Sequence, residues 1–207
     1  KVTTPKCSDT KHRALSVEET RVFLKYAEGC HYYLLFLFLL NTGLRIGEAL
    51  ALAIFDIHKE ITVSKTVSRT SNAGFELLDT PKTSCSYRTI PVTECIECII
   101  QKQKQLNQVL SHKEGWLFPN SRGGMANYNN VDICIANIIK RINADGIEFD
   151  AFSVHAFRDT FATRCIEQGM QPQTLKTLLG HSSLKMTMDL YAQVMPETIT
   201  SEMSKIK

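Results

Sequence analysis

A histidine and an arginine stand three residues apart at His155 and Arg158, in a predicted helix that Ser153 caps and Gly169 ends. Residues at this spacing lie on one face of a helix, so both side chains can reach one anion. Arg45 stands at another predicted helix start, where free N–H groups and a guanidinium together suit a phosphate. Each residue taken singly is more often an exposed surface charge. The chemistry they would share is the binding of a phosphate group.

Three further side chains carry groups that can take part in chemistry. Lys82 lies in a predicted hairpin turn, His181 follows a helix end at Gly180, and Tyr191 lies on a predicted helix among apolar residues. A tyrosine hydroxyl is a nucleophile, and a lysine can act as a general acid. Each also has a more ordinary interpretation: a solvated loop lysine, a helix-capping histidine and a partly buried core tyrosine.

The order and local context of these six residues resemble the tyrosine recombinase (phage integrase) family. Residues 42–50 are similar to its first signature around Arg45, and residues 155–163 to its second around His155 and Arg158, with Asp159 where the family often has His. The resemblance continues through Lys82 and the strand after it, and through residues 178–183 followed by Tyr191. It covers about Leu15 to Met195.

The resemblance implies a function and a set of roles. Tyr191 would attack a DNA phosphate to give a 3′-phosphotyrosine, as in the integrases of conjugative transposons and temperate phages. Arg45, Arg158 and His181 would bind the nonbridging oxygens, with Glu48 orienting Arg45. Lys82 would be the general acid, and His155 a proton acceptor or hydrogen-bond donor. Neither cofactor, metal nor ATP is expected.

The implied partners are double-stranded DNA at attachment or transposon-end sites, further copies of the chain in a tetramer (a dimer of dimers), and an accessory excision factor. Basic residues bordering the site are candidates for additional phosphate contacts, although each could equally be a solvated surface charge. They are Lys59, Lys65, Arg69, Arg88, Arg164 and Lys176.

Two other functions fit the same motifs. A type IB topoisomerase shares the chemistry but acts on one duplex as a monomer; the interval of ten residues from His181 to Tyr191 favours a recombinase. A catalytically silent DNA-binding regulator on the same fold would tolerate loss of the nucleophile or an arginine, yet all six residues are present.

Composition sets broader limits. The 207 residues suffice for one good-sized core, and a formal net charge of +3 gives no strong polyanion signal by itself. Seven cysteines, an odd number without disulfide-framework spacing, indicate a reducing compartment. Cys95 and Cys98 form a CxxC that lacks the further ligands zinc needs, and no apolar stretch reaches the ~20 residues that span a bilayer. We expect a cytoplasmic, nucleoid-associated protein without a membrane partner.

Hydrophobic periodicity predicts an α+β fold, mainly helical, with a small antiparallel β-sheet near the N-terminal third. Ser16 and Glu19 form a capping box before the first helix, and residues 31–41 form a buried helix that ends at Gly43. Alternation between Ile54 and Pro91 predicts the sheet, and helical spacing returns beyond it. The expected organisation is a linker over residues 1–13, a catalytic domain over 14–195, and a tail over 196–207 that is exchanged between protomers.

Overall fold

A computed structural model describes residues 13–70, 74–78, 87–112 and 114–195 of the chain. Residues 1–12 of the predicted linker, the predicted turn that holds Lys82 and the tail after Met195 lie outside these ranges. Within them the α-helices are α1 (Val17–Ala27), α2 (Tyr33–Thr42), α3 (Ile46–Leu50), α4 (Glu94–Val109), α5 (Tyr128–Ala144), α6 (His155–Glu167), α7 (Pro172–Leu179) and α8 (Leu184–Val194).

The strands lie between α3 and α4, and they are β1 (Glu60–Val63), β2 (Thr66–Arg69), β3 (Phe75–Leu78) and β4 (Arg88–Pro91). Strand β1 pairs antiparallel with β4, placing Ile61 opposite Ile90, and β2 pairs antiparallel with β3. The expected fold class is confirmed. Among the described residues the strands form two two-stranded ladders instead of one continuous sheet.

Local signals account for the helix ends that frame the fold. Ser16 Oγ accepts the Glu19 N–H at 3.1 Å and Glu19 Oε2 accepts the Ser16 N–H at 2.8 Å, which is the predicted capping box. The expected side-chain cap by Ser153 is wrong: α6 begins after Val154, whose N–H donates instead to Asp132 Oδ1 at 3.2 Å. The helix predicted to start at Arg45 is α3, which has Arg45 as its N-cap and ends at Leu50.

Two apolar clusters hold the helices together, and α6 contributes to both. In the larger cluster Phe157 of α6 packs on Phe36 of α2 and on Phe23 of α1, with ring centroids 5.3 and 5.6 Å apart. In the smaller one Ile166 of α6 packs with Leu175 of α7 and with residues of α8. Helix α6 therefore connects the main core to the α7–α8 pair. No helix in the described ranges is long and apolar enough to cross a membrane.

Candidate active site

The turn between α2 and α3 presents Arg45. Gly43 ends α2 with φ +63°, a left-handed conformation that favours glycine, and a Cβ there would lie 2.3 Å from Phe161 Cδ1. A Cβ on Gly47 would lie 2.6 Å from the carbonyl oxygen of Val67, so α3 packs directly against β2. This tight packing fixes the start of α3, where Arg45 keeps 37% of its side chain exposed.

Glu48 holds Arg45 from one turn along α3. Its Oε2 accepts the Arg45 backbone N–H at 2.9 Å, and its Oε1 accepts Arg45 Nη1 at 3.0 Å. Burial alone would raise the pKa of Glu48, but hydrogen bonds and charge from Arg88, and then from Arg45, outweigh it and lower the pKa. Glu48 is therefore an ionised carboxylate that fixes both the backbone and the guanidinium of Arg45.

Helix α6 brings Arg158 to the same place. Its Nη1 donates to the Gly43 carbonyl at 2.7 Å and its Nη2 to the Leu179 carbonyl at 2.6 Å, so the guanidinium joins the end of α2 to the end of α7. Burial, with a contribution from Arg45, lowers the pKa of Arg158 to about 9, which still leaves it charged at neutral pH. His155, the first residue of α6, is exposed.

His181 follows α7, which ends at Gly180. Its backbone N–H donates to the Lys176 carbonyl at 3.1 Å, and its ring Nδ1 lies 3.0 Å from the hydroxyl oxygen of Thr187 on α8. Only 7% of the residue is exposed. A hydrogen bond at one ring nitrogen fixes the orientation of the imidazole, so His181 has a defined direction of approach to the site.

Four of the six residues predicted from sequence converge on one pocket of about 440 Å³: Arg45, His155, Arg158 and His181 line it. They come from the α2–α3 turn, from α6 and from the segment that follows α7. Asp159, Met186, Asp189 and Gln193 line it as well. The pocket thus combines two guanidiniums and two imidazoles, a set of donors suited to the oxygens of one phosphodiester.

Tyr191 lies on α8 beside the pocket but is not among the described residues that line it. Its hydroxyl donates a hydrogen bond to the backbone carbonyl of Met170, at the turn before α7. Burial raises the pKa of this hydroxyl, and nearby Cys165 adds to the shift. In this conformation the tyrosine is neither aimed at the pocket nor activated as a nucleophile.

Arg88 does not belong among the surface DNA contacts, and that prediction is wrong. Its side chain is only 3% exposed and ion-paired with Glu48 at 2.8 Å. Alternation along β4 places Arg88 and Ile90 on the buried face, so the guanidinium lies inside the domain.

The other weaker candidates differ in exposure. Lys59 and Arg69 are exposed near the strands, and Arg164 and Lys176 are half-buried on α6 and α7. Lys65 is 25% exposed and lies 3.2 Å from Asp56 Oδ1, so a phosphate would have to compete with that carboxylate. Lys82, the sixth candidate catalytic residue, lies outside the described residues.

Sequence reasoning missed several groups at the site, among them Thr187 and the Met170 carbonyl. Thr187 is fully buried and contacts His181, yet a threonine six residues after a histidine matches no helical spacing rule. Its one signal is a polar residue at a buried position of an amphipathic helix. The Met170 carbonyl that accepts a hydrogen bond from the Tyr191 hydroxyl is a backbone group, so no residue type in the sequence indicates it.

The helical fold, its antiparallel ladders and the basic pocket beside a tyrosine-bearing helix define a catalytic domain of the tyrosine recombinase type. The chain belongs to the phage integrase family, whose profile matches residues 13–198.

Curated relatives include recombinases and transposases of bacteria. A tyrosine recombinase XerC-like protein of Caldanaerobacter subterraneus is 27% identical over 216 residues, covering 93% of this chain and 53% of the relative. The transposase from transposon Tn916 of Enterococcus faecalis is 26% identical over 181 residues, covering 82% of this chain and 44% of the relative. The chain thus spans about half the length of these relatives.

Among solved structures, the Tn1549 transposon integrase in complex with circular intermediate DNA aligns with a TM-score of 0.81. It is 26% identical, and the alignment covers 97% of this chain and 69% of that one. Both the helical arrangement and the sequence signatures therefore extend over nearly the whole chain.

Proposed function

We propose that this chain is the catalytic domain of a site-specific DNA recombinase of a mobile element, an integrase or transposase that cleaves and rejoins strands through a 3′-phosphotyrosine and a Holliday-junction pathway. The observation that carries the proposal is the convergence of Arg45, His155, Arg158 and His181 on one pocket next to the helix of Tyr191. Relatives and neighbours named as integrases, transposases and recombinases support it.

The first step transfers the phosphodiester to the protein. Tyr191 Oη attacks phosphorus, the bond from phosphorus to the 5′-oxygen breaks, and the DNA keeps a 3′-phosphate esterified to the tyrosine. Arg45, Arg158 and His181 donate to the nonbridging oxygens as charge develops on them, each worth ~3 kcal/mol by analogy with an oxyanion-hole donor. A free 5′-hydroxyl of a partner strand then reverses the step, so bond energy is conserved without ATP.

Two protons must move during cleavage. A free phenol has a pKa near ~10 and burial raises that of Tyr191 further, so positive charge or a base must help it ionise at neutral pH. His155, exposed at the start of α6 and on the pocket wall, accepts or relays that proton. Lys82 donates the other proton to the leaving 5′-oxygen. Since the guanidiniums supply the positive charge, we expect no metal requirement.

The nucleophile has to change position before it can react. Tyr191 donates to the Met170 carbonyl and must leave this partner and turn towards the pocket. Docking of a second protomer is the event we propose for this release, because α8 leads into the tail that the family resemblance assigns to exchange between protomers. Leu184, Met186 and Met188 leave apolar side chains exposed on α8.

The proposed partners follow from this reaction. They are duplex DNA at attachment or transposon-end sites, three further copies of the chain in a tetramer, and an accessory factor that biases excision. Lys59 and Arg69, both exposed, are the best placed of the weaker candidates for contacts to flanking phosphates. A protein with this substrate acts on the bacterial nucleoid, in the cytoplasm.

Covalent capture from a random pool tests the proposal without knowledge of the target site. The chain is incubated with nicked duplexes of randomised sequence, DNA attached to protein is isolated under denaturing conditions, and the attached strands are sequenced. We expect a covalent complex whose strands share a sequence motif, and none with Tyr191→Phe.

The outcome also separates the alternatives. Covalent complexes without a shared motif would favour a topoisomerase-like nicking-closing enzyme. Noncovalent binding with no covalent product from any sequence would favour a catalytically silent regulator and contradict the proposal.

A further inference from the structure

Arg88 occupies an unusual position for an arginine. It is the first residue of β4, opposite Val63 of β1, and its side chain is 3% exposed. Arginine is almost never fully buried unless it is paired, because removing its charge from water is costly. The contacts that offset this cost therefore indicate what the residue does.

Those contacts reach two different elements of the active site. Arg88 Nη1 and Nη2 donate to Glu48 Oε1 and Oε2 at 3.1 and 2.8 Å, a two-point contact with the carboxylate. Its Nε donates to the carbonyl oxygen of Leu178 at 2.7 Å. The planar guanidinium matches the carboxylate in a way that a lysine cannot.

Each contact continues to a group that lines the pocket. Glu48 also accepts the backbone N–H and Nη1 of Arg45, so Arg88 and Arg45 hold one carboxylate between them. Leu178 lies in the last turn of α7, three residues before His181. Arg88 thus connects the start of α3 to the end of α7, and with them the positions of Arg45 and His181.

The charges at this point explain why a third arginine is needed. With Arg45 as its sole partner, the buried Glu48 carboxylate would neutralise the charge that a phosphate requires. Arg88 supplies a second cation on the buried side of Glu48, so the group of Arg45, Glu48 and Arg88 keeps a net positive charge. The lowered pKa of Glu48, to which Arg88 contributes more than Arg45, agrees with this arrangement.

We propose that Arg88 is a positioning residue of the strand-cleavage reaction: from inside the domain it holds Glu48, and through it Arg45, in register with His181 at the end of α7. The inference rests on the proposed function, because it assigns Arg88 to that reaction. Arg88 does not touch DNA, and it acts on the rate of phosphoryl transfer instead of on DNA affinity.

The test uses a nicked duplex of a sequence recovered from the randomised pool, at saturating DNA, and follows covalent complex in a single turnover. Arg88→Met removes all the N–H donors of the side chain. Arg88→Lys keeps the positive charge but loses the planar guanidinium that contacts both carboxylate oxygens. Arg21→Met is the matched control, because Arg21 is an exposed arginine of α1 paired only at the surface with Glu18. The rate constant and the amplitude of covalent-complex formation are measured, and the Kd of noncovalent DNA binding is measured separately.

We expect Arg88→Met to lower the rate constant on the order of 10²-fold, the loss that follows a misplacement of about 1 Å. Arg88→Lys should lose at least about 10-fold, because a point charge cannot hold carboxylate and carbonyl together. The noncovalent Kd should change by less than about threefold, since no phosphate contact is lost. Arg21→Met should stay within about twofold of wild type in every quantity.

A double variant tests the connection through Glu48. If Arg88 acts on Arg45 by this route, Glu48→Gln/Arg88→Met should be about as slow as Arg88→Met alone, since both changes break one network. Losses that multiply would show two independent effects and overturn the proposed route.

The remaining outcomes are also decisive. A lower amplitude with a normal rate constant would mean that Arg88 serves folding only, and a weaker Kd with a normal rate constant would return it to DNA binding; either result overturns the inference. A wild-type chain that forms no covalent complex would overturn the proposed function, and the role of Arg88 with it, whereas a normal rate in Arg88→Met overturns the Arg88 inference alone.

Discussion

The Tyr191 hydroxyl donates to the Met170 carbonyl, and this hydrogen bond joins the candidate nucleophile helix to the turn before α7. The four basic residues of the pocket are assembled while the tyrosine is turned away from it. In the proposed reaction this pocket is the phosphate site, and the nucleophile has to be recruited to it. Separate tests of binding, stability and chemistry follow from this division.

Tyr191→Phe should abolish covalent attachment to DNA and leave noncovalent binding nearly intact, because only one hydroxyl is lost and the pocket residues are untouched. Denaturing electrophoresis measures the covalent product, and a gel shift under native conditions measures binding. Persistent covalent complex in the variant would mean that another residue is the nucleophile.

The wild-type reaction should also survive EDTA. Activity that is lost on chelation and restored by Mg²⁺ would contradict the metal-free scheme.

The contact between Tyr191 and Met170 should contribute to stability in a pH-dependent manner. Burial raises the pKa of Tyr191 in the folded chain, so the neutral phenol is favoured on folding. The resulting stability is fully present below the unfolded pKa near ~10 and is lost as the pH rises through the higher folded pKa. The difference in unfolding free energy between wild type and Tyr191→Phe, on the order of 1 kcal/mol for one hydrogen bond, should be constant from about pH 7 to 9 and shrink above about pH 10.

Urea unfolding at a series of pH values measures that difference. Tyr87→Phe is the matched control, since Tyr87 is 63% exposed. A free-energy difference that stays constant through the alkaline range would show that Tyr191 ionises as freely when folded as when unfolded.

Cys30 should be more reactive at neutral pH than Cys134 or Cys165. Its Sγ lies 3.7 Å from Cys134 Sγ, and the hydrogen bond from Cys134 lowers the pKa of Cys30 to about 7, with further help from backbone N–H groups at the start of α2. The pKa of Cys134 rises correspondingly. Alkylation of Cys30 by iodoacetamide should increase with pH to a plateau, with its midpoint near pH 7.

Cys134→Ala removes the donor, so the midpoint for Cys30 should move up towards the ordinary thiol value of about 8.5. Cys165, whose pKa burial raises to about 11, is an internal comparison that should react little across this range. Peptide mapping after alkylation identifies each site. An unchanged midpoint in Cys134→Ala would exclude Cys134 as the cause of the shift.

The helices could be predicted from sequence because their signals are local. The capping box at Ser16 and the stop at Gly43 depend on residues within one or two turns. The position of Arg88 could not, since a cation after a turn is usually exposed, and only pairing with Glu48, 40 residues away, explains its burial. The conformation of Tyr191 could not be predicted either. The motif indicates which residue is the candidate nucleophile, but the partner of its hydroxyl is a backbone carbonyl.

Deletion of the tail should change assembly before it changes chemistry. We expect a chain ending at Met195 to keep the pocket, because Arg45, Arg158 and His181 are held by Glu48, the Leu179 carbonyl and Thr187, which all precede the tail. If the tail docks on a neighbouring protomer, its loss should reduce DNA-dependent assembly, measured by light scattering on site-bearing duplexes, and alter the regulation of cleavage. Unchanged assembly and unchanged cleavage would exclude a role for the tail between protomers.

Lys82 is predicted to protonate the leaving 5′-oxygen, and a change of leaving group separates this role from phosphate binding. An alkoxide leaves poorly, so Lys82→Ala should slow cleavage of ordinary DNA by ~10² to 10⁴. A 5′-bridging sulfur leaves as a thiolate whose conjugate acid has a pKa near ~8.5 by analogy with cysteine, and it needs no proton. Lys82→Ala should therefore be close to wild type on the thio-substituted strand. Arg45→Ala should remain slow on both strands, because its proposed contacts are to the nonbridging oxygens. Single-turnover cleavage of the two strands measures the difference, and equal defects of Lys82→Ala on both would assign the lysine to positioning and make His155 the next candidate for the acid.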